Sequence, residues 1–324
     1  MYSINQLQDL INKEIAEQQY PLNPSELYEP IDYIMALGGK RMRPALLLMA
    51  CDLFGGSVLK ALEPATGIEM FHNFTLLHDD IMDKAPLRRG KPTVHAKWNE
   101  SIAILSGDVM LVKAYELLMK VEDSILRQVL QIFNETATGV CEGQQIDMNF
   151  EALENVTVEE YLEMIRLKTA VLLGGSLKIG ALIGRSNEED ANLLYQFGEK
   201  LGLAFQLQDD ILDVYGDPEK FGKQVGGDII SNKKTYLLIK ALELAENLDT
   251  EELEYWLNAE SPDNEAKVKA VTNIYNRLGI RQLAEGKMNS LAEDALQALD
   301  KVSVGDDKKQ ALKAFAEKLL VREN

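Results

Sequence analysis

Cysteine is nearly absent: Cys51 and Cys141 are the only two, at no metal-ligand or redox spacing. Disulfide stapling and thiolate metal sites are thereby excluded, and a reducing, cytoplasmic setting is the expectation. Histidine is scarce as well, with three residues at 72, 78 and 95 and no zinc-type arrangement. Positive charge is in deficit, since 34 basic residues against 52 acidic ones leave a formal net charge of −18. Such a field repels nucleic acid and anionic lipid, so neither is an expected partner. An anionic substrate would need a local cationic pocket or bound cations. Long apolar runs are missing too: Thr169 to Gly184 reaches 16 residues and contains Lys178, too short and too charged for a membrane span. Its Gly174–Gly175 pair and the Gly180/Gly184 spacing read as tight helix contacts. The first residues lack the charged-then-apolar order of a signal peptide. Neither a Walker loop nor a dinucleotide fingerprint occurs.

Proline is absent from 93 to 217, 125 residues in which apolar side chains recur at three- and four-residue intervals. Strand alternation is missing, so the spacing predicts helices near 4–19, 44–54, 64–84, 101–119, 122–149, 158–183, 188–214, 234–246, 250–258, 264–299 and 307–320. No repeat, linker or composition break divides the 324 residues, and a single all-α domain is the expected architecture.

Two segments carry Asp-Asp-x-x-Asp: Asp79, Asp80 and Asp83, then Asp209, Asp210 and Asp213. At about 100° per residue, positions i and i+4 lie about 40° apart, so the outer aspartates of each cluster share a helix face. Like charges at that spacing repel. Their repetition on otherwise apolar helices points to a cation between them, and an all-oxygen donor set selects a hard one such as Mg²⁺. Solvated acidic faces are the bland alternative; two matching clusters, each following an apolar stretch, weigh against it.

Cationic residues stand near these clusters. Arg88 and Arg89 follow Asp83, Lys40, Arg41 and Arg43 follow Gly38-Gly39, and Lys223, Lys233 and Lys234 follow the second cluster. Guanidinium forks and mobile ammonium groups suit phosphate oxygens.

In order, GGKRMRP, DDIMD with LRRG, Gly143-Gln144-x-x-Asp147, Lys168-Thr169, FQLQDDILD and GKQVGGD make the chain resemble the trans-isoprenyl diphosphate synthases, or polyprenyl synthetases, over nearly its whole length. The resemblance implies a single all-helical bundle around a central apolar cavity, paired as a homodimer. It implies head-to-tail condensation of isopentenyl diphosphate with an allylic diphosphate. Asp79 and Asp83 would bind two Mg²⁺ and Asp209 a third, with Asp80, Asp210 and Asp213 assisting. Arg88, Lys168, Lys223 and Lys233 would hold the allylic diphosphate. Lys40, Arg43, Arg89 and His72 would hold that of isopentenyl diphosphate. Thr169 and Gln206 would lie close to the developing carbocation, and Gln144 and Asp147 would line the site. His78 and His95 would be structural.

Two rivals remain open: a terpene cyclase, which needs no second diphosphate site, and a non-catalytic synthase subunit. For product length, helix geometry puts Thr75 about 6 Å and Phe71 about 12 Å down the axis from Asp79. Phe74 points partly sideways, where the family commonly places its length-limiting aromatic. A small Thr75 above two phenylalanines predicts a twenty-carbon product, with fifteen carbons the alternative.

Overall fold

The computed structural model describes residues 2–217, 226–259 and 263–320. In chain order its helices are α1 (Ile4–Glu17), α2 (Ser25–Ala36), α3 (Met42–Leu53), α4 (Leu62–Met82), α5 (Val94–Lys97), α6 (Glu100–Leu118) and α7 (Asp123–Ala152). Then come α8 (Val158–Ile165), a π-helical turn (Arg166–Ala170), α9 (Val171–Ile183), α10 (Glu188–Tyr215), α11 (Gly227–Ile230) and α12 (Tyr236–Leu244). The last are α13 (Leu248–Asn258), α14 (Asn264–Arg277), α15 (Ile280–Lys301) and α16 (Asp306–Leu320). Strand structure among the described residues is one hairpin, Leu87–Arg88 paired with Lys91–Pro92. Arg89 and Gly90, both at positive φ, form its two-residue turn. The chain is all-α, as the periodicity predicts.

Local signals explain the ends. Ser3 and Gln6 form a capping box before α1, and Thr157 and Glu160 form another before α8. Two expectations fail at the boundaries. The segment 264–299 is two helices, because Gly279 takes φ +67° and ends the helical path between α14 and α15. The helix α2 was not among the expected ones; its stretch holds Pro24 and Pro30. Pro24 occupies the N-cap, and Pro30 is tolerated inside with its ring buried.

Backbone contacts gather into two compact units, each drawn from three stretches of chain. The first comprises Met1–Asn134, Gly175–Tyr195 and Val302–Ala311. Here α3 is buried from Pro44 to Leu53 at every position but Asp52, as a helix apolar nearly all round must be. It packs with α1 and α4, and α4 lies closely along α6. A Cβ at Gly180 would meet the Leu47 carbonyl oxygen at 2.0 Å, so the glycine spacing in α9 does mark a backbone-to-backbone approach. Buried in this core, Arg41 pairs with Glu69 at 2.5 Å, with 3% and 2% of the two side chains exposed. Arg41 also donates to the Met35 carbonyl and to Asn12.

The second unit comprises Glu135–Gly174, Gln196–Lys301 and Leu312–Asn324. Its core gathers Tyr161 and Met164 of α8, Leu207 and Ile211 of α10, Leu237 of α12 and Ile274 of α14.

Candidate active site

The first aspartate cluster closes α4. Asp83 is the C-cap, its N–H donating to the Asp79 carbonyl at 2.9 Å. Asp79 is half-buried and Asp83 exposed, whereas Asp80 is buried. Arg88, carried by the hairpin, grips Asp80 with Nε at 2.9 and 2.8 Å from its two oxygens and Nη2 at 2.7 Å. Asp80 therefore sets the arginine and is not itself presented to a ligand. Arg89 donates to the Gly38 carbonyl, which ties the hairpin turn to the segment bearing Lys40 and Arg43.

His72, one helical turn beyond Glu69, sits among Arg41, Arg43, Arg88 and Arg89. Burial, followed by these four charges, holds its pKa well below the ordinary histidine value, so the ring stays neutral. Arg43 Nη1 lies 3.1 Å from Nε2. Because guanidinium only donates, Nε2 accepts and the proton belongs on Nδ1. The resulting patch concentrates cations in an otherwise anionic protein. Arg41 is the exception within it, since the Glu69 pair consumes it.

The length-determining candidates also lie on α4. Phe71 is 0% and Phe74 8% exposed, and Thr75 is half-buried with its hydroxyl donating to the His72 carbonyl at 2.8 Å. The phenylalanine rings stand 5.7 Å apart. They continue a chain of edge contacts, from His78 against Phe74 (4.7 Å) through Phe71 against Phe133 (5.1 Å) to Tyr115 (4.9 Å). Phe133 and Tyr115, unnoticed in the sequence, lie on α7 and α6 with no signal besides being aromatic. A Cβ at Gly107 would meet the His78 ring at 2.3 Å, which gives His78 a packing role.

The second cluster belongs to α10. Asp210 is buried, and the Tyr161 hydroxyl donates to its Oδ2. Gln206 Nε2 donates to Asp210 Oδ1 at 3.1 Å, and Thr169 Oγ1 donates to Gln206 Oε1 at 3.2 Å. This chain fixes the Gln206 amide, with its oxygen towards Thr169. Burial, then the Asp228 carboxylate, pushes Asp210 up to about 7, while its two hydrogen bonds act in the opposite sense. Asp213 accepts from the Asp228 N–H at 2.9 Å. Asp209 is half-buried.

Lys168 and Thr169 sit in the π turn, where the Val171 N–H reaches back to the Arg166 carbonyl. Lys168 Nζ donates to Asp147 Oδ2 at 2.6 Å. Gly143 lets α7 approach this turn, since a Cβ there would fall 2.2 Å from the Lys168 nitrogen. Gln144 is on the same helix as Gly143 and Asp147. Lys234 is held by the Phe150 carbonyl at 2.8 Å, and Lys233 beside it is exposed. Lys223 lies outside the described residues.

Among the described residues no three His, Cys, Asp or Glu side chains gather tightly enough to hold a metal alone. Mg²⁺ seldom asks for that; it takes one or two carboxylates together with substrate phosphate oxygens and water. Asp79, Asp83 and Asp209 offer oxygen only, while Asp80 is held by Arg88, Asp210 by Tyr161 and Gln206, and Asp213 by the Asp228 N–H. The donor set fits a hard divalent cation.

A geranylgeranyl diphosphate synthase of Methanosarcina mazei is 41% identical over 271 residues, 82% of this chain and 83% of that protein. A crystal structure of a geranylgeranyl pyrophosphate synthase matches with a TM-score of 0.95 at 42% identity, covering 100% of both chains. A polyprenyl synthase from Caulobacter crescentus, solved with calcium and isoprenyl diphosphate, matches at 0.84 and 27% identity over 99% of this chain and 95% of that one. The polyprenyl synthetase family model matches residues 24–275. With its two aspartate clusters and adjoining cations, the chain belongs to the polyprenyl synthetase family.

Proposed function

We propose that this protein condenses isopentenyl diphosphate head to tail with an allylic diphosphate and releases geranylgeranyl diphosphate as its main product. Two oxygen-only aspartate clusters in one chain, each adjoined by cations, carry the reading; a cyclase needs no second diphosphate site. Asp79 and Asp83 would hold two Mg²⁺ and Asp209 a third. Once bound, the ions supply Lewis-acid charge to the leaving diphosphate.

Arg88, Lys168, Lys223 and Lys233 grip the allylic diphosphate. Arg88 brings Nη1, since Asp80 occupies its other nitrogens. Lys40, Arg43 and Arg89, with neutral His72, hold isopentenyl diphosphate. As the allylic C1–O bond breaks, the Thr169 hydroxyl and the Gln206 amide oxygen present dipoles to the developing cation. The isopentenyl double bond then attacks C1, and its C2 proton passes to the released diphosphate. No residue serves as nucleophile. Purified protein given isopentenyl diphosphate with each allylic starter should make a twenty-carbon diphosphate, lose activity in chelator and regain it with Mg²⁺. Full activity in chelator, or turnover of an allylic diphosphate without isopentenyl diphosphate, would refute the reading.

Product length rests on α4. The growing tail passes Thr75 and stops at Phe74 and Phe71. Phe74→Ala alone, and Phe71→Ala with Phe74→Ala, should move products to twenty-five carbons or longer, scored by chromatography. Each truncation of a buried phenylalanine costs about 3–5 kcal/mol, so the single variant guards against loss of the fold. An unchanged distribution in folded protein would locate the pocket floor on another helix.

A reducing cytoplasm and a homodimer complete the proposal. No helix among the described residues is long and apolar enough to cross a membrane. In support of pairing, α6 exposes Ile104 (45%), Leu105 (57%) and Val112 (57%). Sedimentation should give the mass of two chains, and Ile104→Glu with Val112→Glu should halve it. A monomer in the unsubstituted protein would exclude the pairing.

A further inference from the structure

Lys267 of α14 is 2% exposed, a rare position for a lysine. Among the described residues no carboxylate pairs with its ammonium group, whose recorded partners are the Ile230 carbonyl at 3.2 Å and Asn232 Oδ1 at 2.5 Å. Burial lowers its pKa from the ordinary lysine value. A buried cation facing only neutral acceptors is costly, so its retention calls for a local reason.

Both acceptors belong to one strap, residues 230–235. Asn232 stands at φ +55°, and its amide donates to the Leu257 carbonyl at 2.9 Å. The Lys233 N–H donates to the Asp228 carbonyl at 2.9 Å, and Thr235 closes back on the Lys233 carbonyl at 2.8 Å. Lys267, Asn232, Lys233 and Asp228 line one cleft walled by Val271 and Tyr275, with room for little more than a water molecule.

We propose that Lys267 is the positioning residue of this strap: by fixing Ile230 and Asn232 it holds Lys233 in place for the allylic diphosphate, and it adds a buried positive charge to the cleft they share. The inference rests on the reading that Lys233 holds that diphosphate. Neutral acceptors leave the ammonium charge unpaired among the described residues, and it counters the Asp228 carboxylate that lines the same cleft.

The test is Lys267→Met, which keeps a stem of similar bulk while removing charge and donors. The KM for the allylic substrate should rise about tenfold, and that for isopentenyl diphosphate should stay within twofold. Thermal melts run alongside. Should Lys267→Met not fold, Asn232→Gly tolerates the positive φ, cuts the same link and should give the same split. Equal rises in both constants would reduce Lys267 to a structural strut and overturn the inference. So would an unchanged allylic KM in Lys267→Met where Lys233→Ala raises it. If Lys233→Ala leaves the allylic KM unchanged, the role given to Lys233 falls, and this proposal with it.

Discussion

Asp79→Ala and Asp209→Ala should each lower turnover by roughly a thousandfold or more, about 4 kcal/mol of lost transition-state stabilisation. Both should still fold, with melting temperatures close to that of the unsubstituted protein. Asp79 repels Asp83 one turn on, and Asp209 stands in the same relation to Asp213. The neighbouring aspartates should behave otherwise. Asp80→Ala strands the Arg88 guanidinium, and Asp210→Ala leaves the Tyr161 hydroxyl and the Gln206 amide without their acceptor. Each lost partner costs about 1–3 kcal/mol or more for a buried group. Activity lost with the melting temperature kept is expected at 79 and 209, and loss of both at 80 and 210. Steady-state rates read beside calorimetry separate the patterns. A near-normal rate in either outer variant would remove that aspartate from the metal set.

Glu69→Ala should destabilise the protein by about 3–5 kcal/mol, because it leaves Arg41 buried and charged with only the Met35 carbonyl and Asn12 to receive it. The expected fall in Tm is on the order of 10 °C. Arg41→Met together with Glu69→Leu should recover most of that loss, since well-packed apolar side chains replace a buried ion pair at little net cost. Urea unfolding of the three variants checks both statements. A single-variant loss below about 1 kcal/mol would mean that water reaches the pair.

These two cases also mark where the sequence is informative. Aspartate spacing is visible in one dimension because helical geometry converts i, i+4 directly into a shared face. The partners that sort those aspartates are not visible, since Tyr161 is 49 residues from Asp210 and only the fold joins them. Arg41 shows the opposite error: beside Gly39 and Arg43 it reads as an anion binder, yet a glutamate 28 residues on neutralises it. Helix class was legible from the proline-free stretch. The break at Gly279 was not, because a lone glycine inside a helical pattern is compatible with continuation. The helix α2 was hidden by prolines that can equally begin a helix or end one.

The π turn at Arg166–Ala170 holds one residue more than an α-helix of the same span would require. Deleting any one residue there would heal the helix without leaving a gap, so the backbone could accept the change. The flanking helices would even stay in register, because the wider winding of the turn already absorbs its extra residue; the side chains inside the turn would not keep their directions. Lys168 would lose Asp147 or Thr169 would lose Gln206, depending on which position of the turn was removed. A segment that tolerates shortening in its main chain therefore has a fixed length imposed by its side chains. Among relatives of this protein, single-residue gaps should be rarer across this turn than its helical geometry alone would permit.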